Sequence, residues 1–413
     1  TGSPFRSGIS ARVVDLNGHT WTCTGKDANS AAFEISNPNA SLTVKNGKIV
    51  SSQLVGLIPS ASSLTGPITY DNSSLTFENV EMSTTATSGI ETNGNNTNDS
   101  VMLKNSTLNV PNGFGIYFPS SGTLTIDNST INAKTMGVQV CAGSLSINAG
   151  SAITVSGDAV PKTENDGAIQ DGAAISIVNR TGYKDFGTIA VSGGTFKSNG
   201  TNAAIKAYNW NNTEKKEETF TESTKVSVSG GTFSSIPDSM DALCKDGYVP
   251  VKNEDGYAVQ TGTYVAEVGS KKFVSLADAI AAANAGDTIK LLADLTETDA
   301  EGKAIVYDLT GKTLDLNTFT YSHNNFAHVF EGTGGTIKNG KMVCLEGSSY
   351  ALFIGDEGKT TSFTVDGVEL TGGINIYNAS GVVLKNLTVN GSNYYAVWLD
   401  EHAAATIESG TYN

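Results

Sequence analysis

The 413-residue chain contains no run of about 18 apolar residues, which excludes a membrane-spanning helix. Basic residues are few, 26 against 41 acidic, for a formal net charge of −15. No basic stripe is present to meet a phosphate backbone, so nucleic acid is excluded as a partner. The four cysteines (Cys23, Cys141, Cys244 and Cys344) are far apart and form no C-x-x-C. Zinc spacing is therefore missing, and a disulfide scaffold is unsupported at this length. Cys141 and Cys344 lie in apolar runs and read as small buried thiols. Histidine is scarce as well: His19, His323, His328 and His402 share no slot that would mark a common site. No signal-peptide pattern opens the chain, which starts on Thr1.

What is abundant is glycine, 45 residues, together with Ser, Thr and Asn. That composition suits short strands joined by tight turns. One ten-residue pattern keeps returning: SLTVKNGKIV from Ser41, SLTFENVEMS from Ser74, VMLKNSTLNV from Val101, TLTIDNSTIN from Thr123, IAVSGGTFKS from Ile189 and SFTVDGVELT from Ser362. Apolar residues stand four and two positions before an Asn or Gly, and another three positions after it. Leu42, Val44, Asn46 and Ile49 fill the slots in one copy; Leu124, Ile126, Asn128 and Ile131 fill them in another. Such a period marks a solenoid. Read closely, Thr123–Ser144 predicts three short strands per coil, with every second side chain inside. Stacked coils would pair in parallel, and the Asn or Gly would recur at one corner, where a left-handed backbone is tolerated. The predicted fold class is an all-β, right-handed parallel β-helix solenoid.

A larger duplication predicts two tandem copies. DLNG at Asp15–Gly18 matches DLTG at Asp308–Gly311, and NGKIV at Asn46 matches NGKMV at Asn339, both at an offset of 293, with Phe33 landing on Phe326. The expected layout is a first β-helix domain over 1–236, a closing hairpin and linker over 237–262, and a second β-helix domain over 263–413. Asp255-Gly256 signals the hairpin. Ser275 is an N-cap with Asp278 three residues on, Leu276, Ile280 and Ala283 share a face, and Gly286 is the stop. This predicts a short capping helix at the start of the second copy. The first copy has no such cap before it and the second no closing hairpin after it, so the expectation is a fragment of a longer array.

SLADAIAAANAGDTIKLL, the IKNGK and SGGTF coils and the DGYV…DGYAV piece resemble the pectate-lyase-like β-helix modules of large bacterial cell-surface proteins. That resemblance implies an extracellular, surface-attached, adhesin-type protein, with glycans or host surface proteins as partners. Polysaccharide lyases and glycoside hydrolases share the fold. A polygalacturonase-like site would carry an Asp-Asp pair and a Gly-His-Gly, and neither occurs. A pectate-lyase-like site would use Arg, and only Arg6, Arg12 and Arg180 are present. The expected function is thus a non-enzymatic surface module; the alternative is a carbohydrate-active enzyme.

Two sets of candidate site residues follow. Tyr208 and Trp210 in AYNWNN, and Tyr394, Tyr395 and Trp398 in NYYAVW, are expected to offer exposed rings for sugar stacking. Glu164, Asp166 and Asp171, in a loop of Asp-Gly pairs before Arg180, are the calcium candidates. The plainer reading of that loop is a solvated insert, with no metal and no cofactor. Trp21 reads as core, because Leu314 takes its duplicate position.

Overall fold

The computed structural model describes residues 5–7, 11–25, 30–63, 66–298, 305–324, 328–345, 350–355, 360–391 and 395–413. It is all-β with predominantly parallel sheets, and among the described residues it has one α-helix. Among them, no helix is long and apolar enough to cross a membrane. The chain divides into two compact units, Thr1–Thr261 and Gly262–Asn413. Tyr394 and Phe326 lie outside the described residues.

In the first unit, the recurrent apolar slots form continuous ladders. Leu42 is paired with Leu75, then Val101, Leu124, Leu145, Ile189 and Val226 in parallel register. Ile49 begins a second ladder through Met82, Leu108, Ile131, Ile153, Phe196 and Phe233. Facing these is a nine-stranded sheet, whose inner ladder runs Phe5, Phe33, Gly56, Ile90, Ile116, Val138, Ile175 and Ile205. These side chains meet in one buried core. Alternation explains it: each strand puts residues of one parity inside, and the repeat keeps that parity in phase. Each buried aliphatic side chain contributes about 1.5–3 kcal/mol.

The slot residue between the ladders turns the chain. Strands Ser41–Ser51 and Ser74–Thr84 each bend at an asparagine with positive φ, 57° at Asn46 and 55° at Asn79. Asn105 (48°) and Asn128 (43°) take the same slot afterwards. Their amides stack: Asn79 Nδ2 donates to Asn46 Oδ1 at 3.3 Å, and Asn128 Nδ2 to Asn105 Oδ1 at 2.8 Å. On the inside of the same corner, hydroxyls of Ser106 and Ser129 accept from Val80 N and Ser106 N at 3.1 and 3.0 Å. The bend therefore leaves few polar backbone groups unpaired. A hairpin, Tyr248–Asn253 with Gly256–Thr261, pairs antiparallel with Thr232–Phe233 and covers that strand edge.

The second unit has its own core. Ile289, Leu314, Ile337, Val365 and Leu384 form one parallel ladder, and Tyr307, Phe330, Ile354 and Ile376 another. Helix Leu276–Ala282 opens on Ser275, whose hydroxyl accepts from Asp278 N at 3.0 Å, and buries Leu276, Ala279 and Ile280. It ends before Gly286. Ala283 is already extended, and Gly286 (φ 95°) serves the following turn, where Asn284 N donates to Asp287.

The gapless duplication offset needs correction. The bonds made by DLNG at Asp15 recur at Asp315-Leu316-Asn317-Thr318. Leu16 N and Leu316 N donate to Lys45 O and Lys338 O, both at 2.8 Å; Gly18 N and Thr318 N donate to Asn46 O and Asn339 O, both at 2.7 Å. DLTG at Asp308 makes the same kind of turn on a different sheet, with Leu309 N bonded to Glu331 O. The segment between the two motifs is shorter in the second unit, with 24 residues from Asp315 to Asn339 against 31 from Asp15 to Asn46.

Candidate functional site

The bent corner leaves an open groove on the outside of each unit. In the first, a groove of about 490 Å³ is lined by Gly47, Asn79, Val80, Glu81, Asn105, Thr107 and Asn109. In the second, a groove of about 600 Å³ runs along Asp315, Asn317, Thr318, Asn339, Gly340, Lys341 and Glu369, among others. The groove forms because Gly47 and Gly340 sit directly against Leu16 and Leu316. A Cβ on either would stand 2.5 or 2.4 Å from the leucine Cβ, so the chain dips inward there. Each groove carries one ion pair between successive strands, Lys48 with Glu81 at 2.7 Å and Lys341 with Glu369 at 2.9 Å.

The rest of the lining is amide and hydroxyl. Asn132 Nδ2 donates to Asn109 Oδ1 at 2.8 Å, extending a second amide row along the outer face. At the first groove's end, the Asn17 backbone N–H and then the Asn46 amide hold the Asp15 carboxyl below the usual carboxylate range. Asn339 Nδ2 reaches Asp315 Oδ1 in the same way at 3.2 Å. Side-chain amides both donate and accept, so such a row suits a ligand with many hydroxyls.

Comparison with known proteins adds little. No family model matches, and no curated protein matches. Among solved structures, the chain is similar to a crystal structure of a TibC-catalysed hyper-glycosylated fragment of TibA, at 10% identity over 97% of this chain and 98% of that one. The TM-score is 0.12, and the likeness carries no argument here.

The residues singled out from sequence separate into three places. Tyr208 and Trp210 are buried, 3% and 7% exposed, which corrects the expectation of exposed rings. Loop 157–172 roofs the outer face of the nine-stranded sheet, and Ile169, Cys141 and Met136 pack with them there. Tyr208 instead donates its hydroxyl to Asp171 Oδ2 at 2.8 Å. Tyr395 and Trp398 do present themselves, 52% and 37% exposed, with ring centroids 4.7 Å apart.

The acidic trio is not brought together. Asp171 is buried and accepts from Ser176 Oγ (2.6 Å), Tyr208 Oη and Ala173 N; burial pushes its carboxyl up, against those bonds. Glu164 and Asp166 are exposed on the loop above. Among the described residues, no three His, Cys, Asp or Glu side chains are grouped to hold a metal. The loop wraps a guanidinium: Arg180 Nη1 donates to Gly167 O at 2.7 Å and Nη2 to Asn165 O at 2.5 Å. All four cysteines are free, and burial pushes the Cys141 thiol up to about 12.

Sequence reasoning missed the groove residues Glu81, Thr107 and Asn109. The available signal was the outward-facing parity beside the Asn slot, which turn chemistry alone explained.

Proposed function

We propose that the chain is a non-enzymatic, extracellular surface module of adhesin type, built from two tandem right-handed parallel β-helices, which binds uncharged glycans along its corner grooves. Host or dietary glycans, free or on host surface proteins, are the ligand class. In this reading residues 1–236 and 263–413 are the two β-helical domains, and 237–262 is the closing piece between them. Parallel pairing of successive coils supports the solenoid, and the handedness follows from the usual crossover rule.

One observation carries the functional reading. The same corner, with matching backbone bonds, amide contact and Lys–Glu pair, recurs in both units and leaves a groove in each. A purely structural turn needs the backbone bonds but not the hydroxyl- and amide-lined depression beside them. The exposed pair Tyr395 and Trp398 offers a stacking surface for a sugar ring. The net charge of −15 favours neutral over acidic sugars at long range.

The test is an array of neutral oligosaccharides followed by calorimetry. The native chain should retain a subset. Glu81→Ala with Asn109→Ala should weaken it by about tenfold, equal to about 1.4 kcal/mol, without altering thermal unfolding. Binding to no glycan would overturn the reading. New reducing ends or unsaturated products from any polysaccharide would replace it with a carbohydrate-active enzyme.

A further inference from the structure

Arg180 ends strand Ile175–Arg180 and is 2% exposed. Its partners are two loop carbonyls and, at 3.5 Å, the Tyr117 hydroxyl; its Nε has none. Among the described residues, no ion pair includes it. A buried cation facing only neutral acceptors is an expensive arrangement, because dipoles replace the counter-charge. Two more cations reach the same stretch of loop. Lys162 Nζ contacts Asp166 O, and Lys215 Nζ contacts Asn165 Oδ1. Lys162 is pushed down, first by burial and next by Arg180, with Lys215 adding to it and Asp166 and Glu164 opposing. Three cations thus converge on 165–167 in a chain of net charge −15.

We propose that Arg180, Lys162 and Lys215 form an oxyanion site for a carboxylate or sulfate group, and that loop 157–172 is its displaceable cover. The loop's carbonyls occupy the guanidinium edge that a bidentate oxyanion would take. Two glycines with left-handed backbone, Gly167 (φ 76°) and Gly172 (φ 81°), give the loop places to swing. The floor beneath is ready-made: Tyr117 and Tyr183 hydroxyls lie 3.0 Å apart, and the Tyr183 ring sits 4.8 Å from the guanidinium carbon. This site is on the nine-stranded sheet and the first corner groove on the other sheet, so a negative result with neutral glycans leaves it untouched.

Titration calorimetry on the full chain tests it, with sodium sulfate, sodium glucuronate, a sulfated oligosaccharide and glucose as probes. Concentrations up to about 10 mM cover Kd values of about 1 mM. The expected result is uptake of the anions and not of glucose. Binding of the small salts marks a free-anion site; binding of the oligosaccharide alone marks a sugar-borne group. Asn165→Ala, which loosens the cover, should tighten binding several-fold. Lys162→Gln with Lys215→Gln should weaken it by about tenfold and leave the fold intact. Hydrogen exchange in the loop should quicken when the anion binds. The proposal is overturned if neither the native chain nor Asn165→Ala takes up any anion, or if the double lysine variant binds as well as the native chain.

Discussion

Asp99 shows how the environment of one side chain sets a property of the whole chain. It is buried beside Asn96, whose Nδ2 donates to Oδ2 at 3.0 Å, and Ser73 N donates to Oδ1 at 3.4 Å. Burial outweighs these bonds, Asp71 adds repulsion, and the carboxyl is pushed up to about 7 from an ordinary 3.8. Between those values the folded chain holds a proton that the unfolded chain has released. Stability from this group is therefore complete below about pH 3.8 and is lost as pH rises through about 7. Asp99→Asn should flatten that part of the stability profile, measured by urea unfolding at a series of pH values. Nothing in the TNDSV sequence around Asp99 announces this burial. The same blindness put Tyr208 and Trp210 outside: their strand alternation was readable, but the roof over that face comes from residues 157–172, distant in sequence.

At the scale of the element, the ladders were legible because the two-residue period and the recurring Asn slot coincide. Leu124, Ile126 and Ile131 are all fully buried. The corner asparagine does two jobs, and substitution separates them. Asn79→Ala places an ordinary residue at φ 55° and cuts the amide bond to Asn46, so it should cost about 1–2 kcal/mol in denaturant unfolding. Asn79→Gly keeps the backbone freedom and should cost less. Equal costs would mean that the amide, and not the backbone, matters. The duplication was legible in its NGK motif and misread in DLNG. A gapless offset cannot register the shorter segment before Asn339, whereas hydrogen bonding does.

At the scale of the molecule, each compact unit closes around its own buried cluster. Calorimetry should therefore resolve two transitions. Ile126→Ala, which empties space in the first core, should lower one by about 2–5 kcal/mol of stability and leave the other in place. A single transition that moves as a whole would show the units to be one cooperative body. The grooves were invisible in sequence for a physical reason: a depression depends on where the backbone dips, and Gly47 and Gly340 dip only because Leu16 and Leu316 lie beneath them. Mechanical behaviour follows from the same layout. Successive rungs in the first unit are joined by parallel backbone hydrogen bonds, and no thiol is crosslinked. Tension along the stack loads one rung at a time, each holding until its own few bonds part. A protein of this construction yields under drag in small successive steps and lengthens gradually, as a shock-absorbing tether does.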